Sequence, residues 1–280
     1  MLKLTPWELH SDIWVKRDDL FAQGGVNGSK FRQCLFLFDQ RPKDAQLVVT
    51  GASALSPQHA IVSTCARIHN MQSHHVIACH DPAAYPSTRL AQRNGAIFHY
   101  VKVGYQPALT RAVRQLQLAL NQPSFIIPYG ITTDDVSKIQ AFHEVGAYQV
   151  QNLPDVVHTL YVPAGSCNTL VSVLLGLQRQ PKNLRRLISV AVGPSKVTWV
   201  QLRLSALGVT QLPFEWDHSL SLHDNGYAGY HDKMPETLGT IPLHPTYEGK
   251  IWRWLRTHDD LARLQDGHTG FWNVGTVVQA

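Results

Sequence analysis

Short apolar runs and longer stretches with helical spacing alternate along most of the chain. Apolar runs that end at turn residues are typical of strands buried on both faces, as in parallel sheets. They are predicted at residues 45–50, 75–79, 95–101, 124–128, 158–162 and 187–192. Helical spacing is predicted at residues 58–70, 87–94, 110–121, 135–152, 168–177 and 196–207. This order predicts an α/β protein with parallel sheets flanked by helices.

Both ends of the chain add weaker signals. Residues 12–16 and 270–274 are predicted as short strands and residues 248–257 as a helix. A helix is also predicted at residues 29–38, with Ser29 as its N-cap. Residues 211–243 are rich in Pro, Gly, Asp and His and give no clear element.

Composition indicates an ordinary globular protein, with 44% hydrophobic and 16% charged residues among 280. No apolar run reaches the roughly 18 residues that span a bilayer, and no secretory signal opens the chain, so we expect a cytoplasmic protein without membrane association. Four cysteines lack CxxC spacing and fifteen histidines are scattered, which favours reduced thiols and no metal site. The net charge of +5 suits an anionic cofactor or substrate and leaves nucleic acid open as a partner.

Two loops carry candidate chemistry. Small residues at 164–169 join a predicted strand to a predicted helix, where backbone N–H groups and the helix dipole favour an anion. An ordinary strand-to-helix turn explains this loop equally well. A glycine-rich loop at residues 24–29 leads to Lys30 at a helix start, where the dipole favours a neutral, nucleophilic amine. On spacing alone, a surface lysine after a flexible loop is the better interpretation.

Taken together, the motifs resemble those of the 1-aminocyclopropane-1-carboxylate deaminase and D-cysteine desulfhydrase group. These are fold-type-II enzymes that depend on pyridoxal 5'-phosphate (PLP). The resemblance spans nearly the whole chain, and its motifs occur in the family's order. They are Lys16-Arg17-Asp18-Asp19-Leu20 with Gly24-Gly25 and Lys30-Phe31-Arg32, Ser56-Pro57-Gln58-His59, 165–169, His244-Pro245-Thr246-Tyr247-Glu248-Gly249-Lys250, and Val274-Gly275-Thr276.

The resemblance implies roles for individual residues. Lys30 would form a Schiff base with PLP and later move a proton, which requires a lysine that can lose its charge. The phosphate would be held by Gly165, Ser166, Cys167, Asn168 and Thr169. Ser56 and Gln58 would lie on the loop that binds the substrate carboxylate, and Ser56 could assist in catalysis. Tyr247 would cover the reacting carbon, and Glu248 would face the pyridine nitrogen.

The same resemblance implies a two-domain, tryptophan-synthase-β-like architecture with PLP between the domains. A larger PLP-binding domain would comprise residues 1–44 and 129–280, and a smaller α/β domain residues 45–128. A homodimer is implied as well. The chain departs from the family at Ser29, Pro57 and His244, in a phosphate loop containing Cys167 and Asn168, and in being shorter. The cofactor machinery is therefore expected to be retained and the substrate side altered.

Three functions follow from this pattern. The first is a deaminase or lyase acting at the α-carbon of a small amino acid. The second is a PLP-dependent enzyme, such as a decarboxylase, that acts on an amino acid attached to a larger molecule such as nucleic acid. The altered carboxylate loop and the positive net charge of the chain support this second function. The third is a PLP-binding protein without turnover. A nucleic-acid-binding module without PLP is the most distant, because no base-reading motif is present.

Overall fold

A computed structural model describes residues 3–229, 232–258, 264–275 and 278. These residues form two compact units. The first unit is Ala22–Lys138, and the second combines residues 3–21 with Ile139–Gly275. The boundaries expected from the sequence, at residues 45 and 128, stay a prediction. None of the described helices is both long and apolar enough to cross a bilayer.

The elements are numbered here in chain order. The strands are β1 (Trp7–His10), β2 (Ile13–Arg17), β3 (Ala22–Gln23), β4 (Val26–Asn27), β5 (Leu47–Gly51), β6 (Gln72–Ile77), β7 (Ile97–Tyr100), β8 (Ser124–Ile127), β9 (Thr159–Ala164), β10 (Arg186–Ala191), β11 (Glu215–Asp217), β12 (Glu236–Leu238), β13 (Ile241–Leu243) and β14 (Thr269–Asn273). The α-helices are α1 (Ser29–Asp39), α2 (Gln58–Ile68), α3 (Pro86–Arg93), α4 (Gln106–Leu120), α5 (Val136–Ala147), α6 (Asn168–Arg179), α7 (Val197–Ala206) and α8 (Glu248–His258).

The first unit is built on a four-stranded parallel sheet in the order β7-β6-β5-β8. All five residues of β5 are buried, as expected for a central strand covered on both faces. Helix α4 packs on β5 through Leu109 and Val113, which join Leu47, Val49 and Val76 in one apolar cluster. Helix α2 also packs against β5 and β6, and it contacts α1 and α3.

The second unit is built on a six-stranded sheet in the order β1-β2-β14-β9-β10-β11. Only the β1–β2 pair is antiparallel, and the remaining neighbours run parallel. Two apolar clusters pack within this unit. One contains α6 residues such as Leu174, and the other contains α8 residues such as Ile251.

The carboxyl ends of β9 and β14 lie side by side, because these strands are parallel neighbours.

The predicted α/β class with parallel sheets is confirmed, and most predicted elements match observed ones within a few residues. Strand β1 was not predicted from the sequence, and β11 to β13 lie in the region that gave no clear element. The prediction that Ser29 caps α1 is wrong. Gly28 occupies the N-cap with φ of 88°, a left-handed conformation that glycine adopts without strain, and Ser29 is the first helical residue.

The Lys-Arg-Asp-Asp motif has a structural role in the second unit. Lys16 is fully buried and its ammonium donates to the Thr5 carbonyl and to Asn152 Oδ1, both at 2.8 Å. The Asp18 carboxyl group is also buried. It accepts hydrogen bonds from the Thr5 hydroxyl at 2.8 Å and from the Trp272 indole at 3.1 Å. This network links residues 5–18 to β14 and to Asn152, so the motif stabilises the fold around the large sheet.

Replacing Asp18 with alanine is expected to cost about 2–4 kcal/mol of unfolding free energy, because the buried Trp272 indole loses its acceptor and the Thr5 hydroxyl keeps only the longer contact with Gln149 Oε1. Chemical denaturation measures this loss. The control is Asp155→Ala, at a carboxylate with 78% side-chain exposure that faces Lys182 at 4.0 Å, where the cost should stay below about 0.5 kcal/mol. Equal losses in the two variants would contradict the role given to Asp18.

Candidate active site

The loop between β9 and α6 has the features of an anion site. Cys167 takes a left-handed conformation, with φ of 67°, immediately before α6 begins at Asn168. The Cys167 thiol donates to the Gly165 carbonyl oxygen at 3.7 Å and does not cap the helix. The first turn of α6 contains no acidic residue. Gly165, Ser166 and Thr169 are partly exposed, so a phosphate group fits the donors and the dipole at this helix start.

Tyr247 and Glu248 lie beside this loop. The Tyr247 ring is buried, and a Cβ placed on Gly165 would lie 3.4 Å from its Cε1 atom, so the ring packs directly against the loop. Glu248 begins α8 and is fully buried. Its Oε1 accepts a hydrogen bond from the Val274 backbone N–H at 2.9 Å. A buried carboxylate is thereby held at the end of β14.

Close backbone packing explains the residues that follow Glu248. A Cβ on Gly249 would lie 2.1 Å from the Met234 carbonyl oxygen, so only glycine fits. The Lys250 ammonium donates to the Gly229 carbonyl at 2.6 Å. Burial lowers the pKa of Lys250, and the nearby Asp232 charge opposes that shift. Gly249 and Lys250 thus fix the start of α8 against residues 229 and 232–234, and with it the position of Glu248.

Lys30 occupies the second position of α1 in the first unit. Its side chain is partly buried, and the residues around it, Ser29, Phe31 and Arg32, are buried. The glycine-rich loop before it forms a short hairpin between β3 and β4. Gly24, Gly25 and Gly28 all take positive φ, which explains the glycines in this motif. The loop therefore presents the lysine at the first turn of a helix, as the sequence predicted.

Ser56 and Gln58 lie at the start of α2. The Ser56 hydroxyl accepts the Gln58 backbone N–H at 3.2 Å and so caps the first turn. The Gln58 amide nitrogen donates to Thr50 Oγ1 at 2.8 Å and to the Pro128 carbonyl at 3.0 Å. Its amide oxygen accepts the Gly130 N–H at 2.8 Å. Both donors of this amide are used inside the first unit.

A pair of buried histidines supports the loop that carries Ser56. His59 Nε2 lies 3.1 Å from the Ala52 carbonyl oxygen, which can only accept, so Nε2 donates. Burial lowers the pKa of His59 to about 4, which keeps the ring neutral and leaves Nδ1 as an acceptor. His75 Nδ1 lies 3.1 Å from that atom and donates to it. Burial also lowers the pKa of His75 well below its usual range, and repulsion from His59 when that ring is protonated adds to the shift.

Two further residues have buried amide groups without hydrogen-bond partners among the described residues, and nothing in the sequence indicated them. Asn273 ends β14 with 2% exposure, and its amide nitrogen has no hydrogen-bond partner among the described residues. Gln33 lies one turn after Lys30 on α1 with 1% exposure, and neither of its amide atoms has such a partner. Buried amides are normally hydrogen-bonded, so these two are exceptions among the described residues. The missing hydrogen bonds of these amides can be recognised only in the folded structure, not in the sequence.

The structure divides the predicted site residues between the two units. Residues 165–169, Tyr247 and Glu248 come together in the second unit, where Asn273 and Val274 join them. Lys30, Ser56 and Gln58 belong to the first unit. Thr276, which the sequence placed in the closing loop, lies outside the described residues. The individual roles of all these residues stay predictions.

No protein-family model matches the chain. The O-seryl-dTMP PLP-dependent decarboxylase of Salmonella phage ViI is 27% identical, over 99% of this chain and 82% of that protein. The Glycyl-dTMP PLP-dependent decarboxylase of Pseudomonas phage M6 is 23% identical, over 94% of each protein. Among solved structures, an ACC deaminase homologue superposes with a TM-score of 0.75 at 18% identity, over 99% of this chain and 90% of that one.

The chain therefore has the fold of the fold-type-II PLP-dependent enzymes, and the resemblance to this class is confirmed.

The pKa of His59 predicts a specific pH dependence of stability. Between about pH 6.5 and 4, the imidazole binds a proton in the unfolded chain but not in the folded one, so unfolding free energy falls as pH falls. The full effect is up to about 3 kcal/mol, and the slope levels off below about pH 4. Chemical denaturation as a function of pH should show a smaller slope in His59→Gln than in the parent. His80→Gln, at an exposed position of the same unit, should keep the parent slope.

Proposed function

We propose that this protein is a PLP-dependent decarboxylase acting on an amino acid linked to a nucleotide. Two relatives that align with nearly the whole chain are named decarboxylases of seryl and glycyl conjugates of dTMP. The two alignments span 99% and 94% of this chain, so they extend over both units. This is the second of the three functions that the sequence left open. The deaminase or lyase interpretation has support from the fold alone.

The Gln58 amide is the observation that carries the proposal. Enzymes that keep the α-carboxylate of their substrate can bind it tightly, whereas a decarboxylase must let it leave as neutral CO₂. Gln58 lies on the loop expected to bind that carboxylate, yet both of its N–H groups donate to Thr50 and Pro128. Pro57 adds no backbone N–H to the same turn. The two amide N–H groups of Gln58 and the backbone N–H that Pro57 lacks are therefore not available to a carboxylate at this loop.

The residues present fit PLP on two observations. The start of α6 offers donors without an acidic residue, which suits the phosphate. The buried Glu248 carboxylate, held by the Val274 N–H, suits a protonated ring nitrogen. Residues 165–169 would hold the phosphate and Lys30 would attach the cofactor. Bound PLP supplies an electron sink that accepts the electron pair released at the α-carbon.

The remaining chemistry belongs to the chain's own side chains. The bond between the α-carbon and the carboxylate breaks, CO₂ leaves, and the α-carbon then takes up one proton while the amine nitrogen stays in the product. Lys30 would deliver that proton. Glu248 would keep a proton on the ring nitrogen, and its position at a helix start stabilises the negative charge this requires. Tyr247, packed on Gly165, would exclude water from the reacting carbon.

Lys30→Ala is expected to abolish the visible absorption band of bound PLP and to lower turnover about 10²-fold or more, because both attachment and proton transfer are lost. Absorption spectra of the purified proteins measure the first effect. Lys138→Ala is the matched control, since that lysine pairs with Asp135 on the surface of the same unit. A Lys30→Ala protein that keeps the parent band would contradict the role of Lys30.

The reaction type is tested by product analysis. With a seryl- or glycyl-nucleotide as substrate, mass spectrometry should show loss of CO₂ with the amine nitrogen retained. Loss of ammonia from free amino acids would instead establish a deaminase. A PLP band without turnover of either substrate would favour a binding protein.

A further inference from the structure

Asn273 has a buried amide whose donors are unused. The side chain is 2% exposed, and its Oδ1 atom accepts the Gly275 backbone N–H at 3.2 Å. Because that N–H can only donate, the amide oxygen faces Gly275 and the Nδ2 group is directed away from it. Nδ2 has no hydrogen-bond partner in the part of the chain that the structure describes. An unbonded buried donor is costly, so an acceptor that arrives with a ligand would stabilise this position.

The alternation of side chains along β14 places this amide on the side of the sheet where α8 packs. Successive residues of a strand point to opposite faces. Trp272 belongs to the apolar cluster that contains α6, whereas Phe271 belongs to the cluster that contains Tyr247 and α8. Asn273 is two residues after Phe271 and therefore shares its face. The amide lies on the face of the sheet against which Tyr247 packs.

The position of Asn273 along β14 brings it to the level of the candidate phosphate loop. Phe271 is opposite Tyr161 in the parallel pair of β14 and β9. Continuing that register by two residues puts Asn273 level with Pro163, which is two residues before Gly165. The amide is thus at the carboxyl edge of the large sheet, where β9 leads into the loop.

The chemistry of PLP decides which acceptor suits this donor. Glu248, held by the Val274 N–H next to Asn273, is the proposed partner of the protonated ring nitrogen. The phosphate is assigned to the start of α6, and Lys30 is proposed to attach the aldehyde carbon. The one remaining polar group of PLP is the oxygen on carbon 3 of its ring, which accepts hydrogen bonds when it is ionised. Nδ2 can only donate, so this ring oxygen is its complement.

We propose that Asn273 donates a hydrogen bond from Nδ2 to the ring oxygen of bound PLP and so helps to hold the cofactor ring. The inference rests on PLP binding in the proposed function, but not on the substrate or on decarboxylation. The amide of Gln58 differs from this one, because both of its donors are occupied within the first unit.

The test compares PLP with 3-deoxypyridoxal 5'-phosphate, which lacks only the ring oxygen. Equilibrium dialysis of the full chain at about pH 8, where an aspartate is ionised, measures the dissociation constant of each compound. Asn273→Leu removes the donor without adding charge. Asn273→Asp also removes the donor and keeps an oxygen for the Gly275 N–H. Each variant should bind PLP about tenfold or more weakly than the parent, as for a lost hydrogen bond to a charged group. Affinity for the deoxy analogue should change little.

Asn152→Asp is the matched control, because it makes the same change in the same unit. The Asn152 amide is hydrogen-bonded on both sides within the protein, to Lys16 Nζ and to the Thr5 carbonyl oxygen, each at 2.8 Å. This variant should bind both compounds with the affinity of the parent.

Two results would overturn the proposal. One is parent-like affinity for PLP in the Asn273 variants. The other is an equal loss of affinity for PLP and for the deoxy analogue, which would mean that Asn273 acts on the fold or on the phosphate. If one of the two variants does not fold, the other decides. The assay requires no turnover, so its failure leaves the proposed decarboxylation intact, whereas a parent protein that binds no PLP would refute both.

Discussion

The hydrogen bond from the Val274 N–H to the buried Glu248 carboxylate joins the end of β14 to the start of α8. Several features of the second unit depend on this contact. It places a carboxylate at the edge of the sheet where β9 also ends, next in sequence to Tyr247, which packs against Gly165. Gly249 and Lys250 hold the same helix start from the other side, through Met234 and Gly229. A buried acid needs such fixed partners, because an unbonded carboxylate would be costly in an apolar interior.

The strand and helix pattern of the chain was largely predictable because its central strands are buried on both faces. Val48 and Val49, for example, lie in a continuous apolar run, because both faces of this strand are buried and no position needs a polar side chain. Strand β1 was missed because it lies at the edge of the sheet and Leu9 is 50% exposed, so it has no continuous apolar pattern. Strands β11 to β13 have three residues each, too few to show a period.

The candidate site was predictable only where a local motif carries it. The loop before α6 is one continuous stretch of sequence, and so is the Tyr-Glu-Gly-Lys segment. The position of each at the start of a helix could therefore be inferred from the sequence. Asn273 and Gln33 were not recognisable, because their significance comes from amide groups left without partners after folding. The sequence also could not show that the hydrogen-bonding groups of the Gln58 amide are all occupied, since the partners Thr50, Pro128 and Gly130 lie 8 to 72 residues away.

A decarboxylase has a particular difficulty in binding its substrate. Tight binding of the carboxylate that must leave does not accelerate the reaction, because interactions with this group that are lost in the transition state slow the reaction. Binding energy must then come from a part of the substrate that does not react. In the proposed reaction, the nucleotide is the part of the substrate that does not react. The occupied amide donors of Gln58 fit this requirement, because they leave the contact with the leaving carboxylate weak.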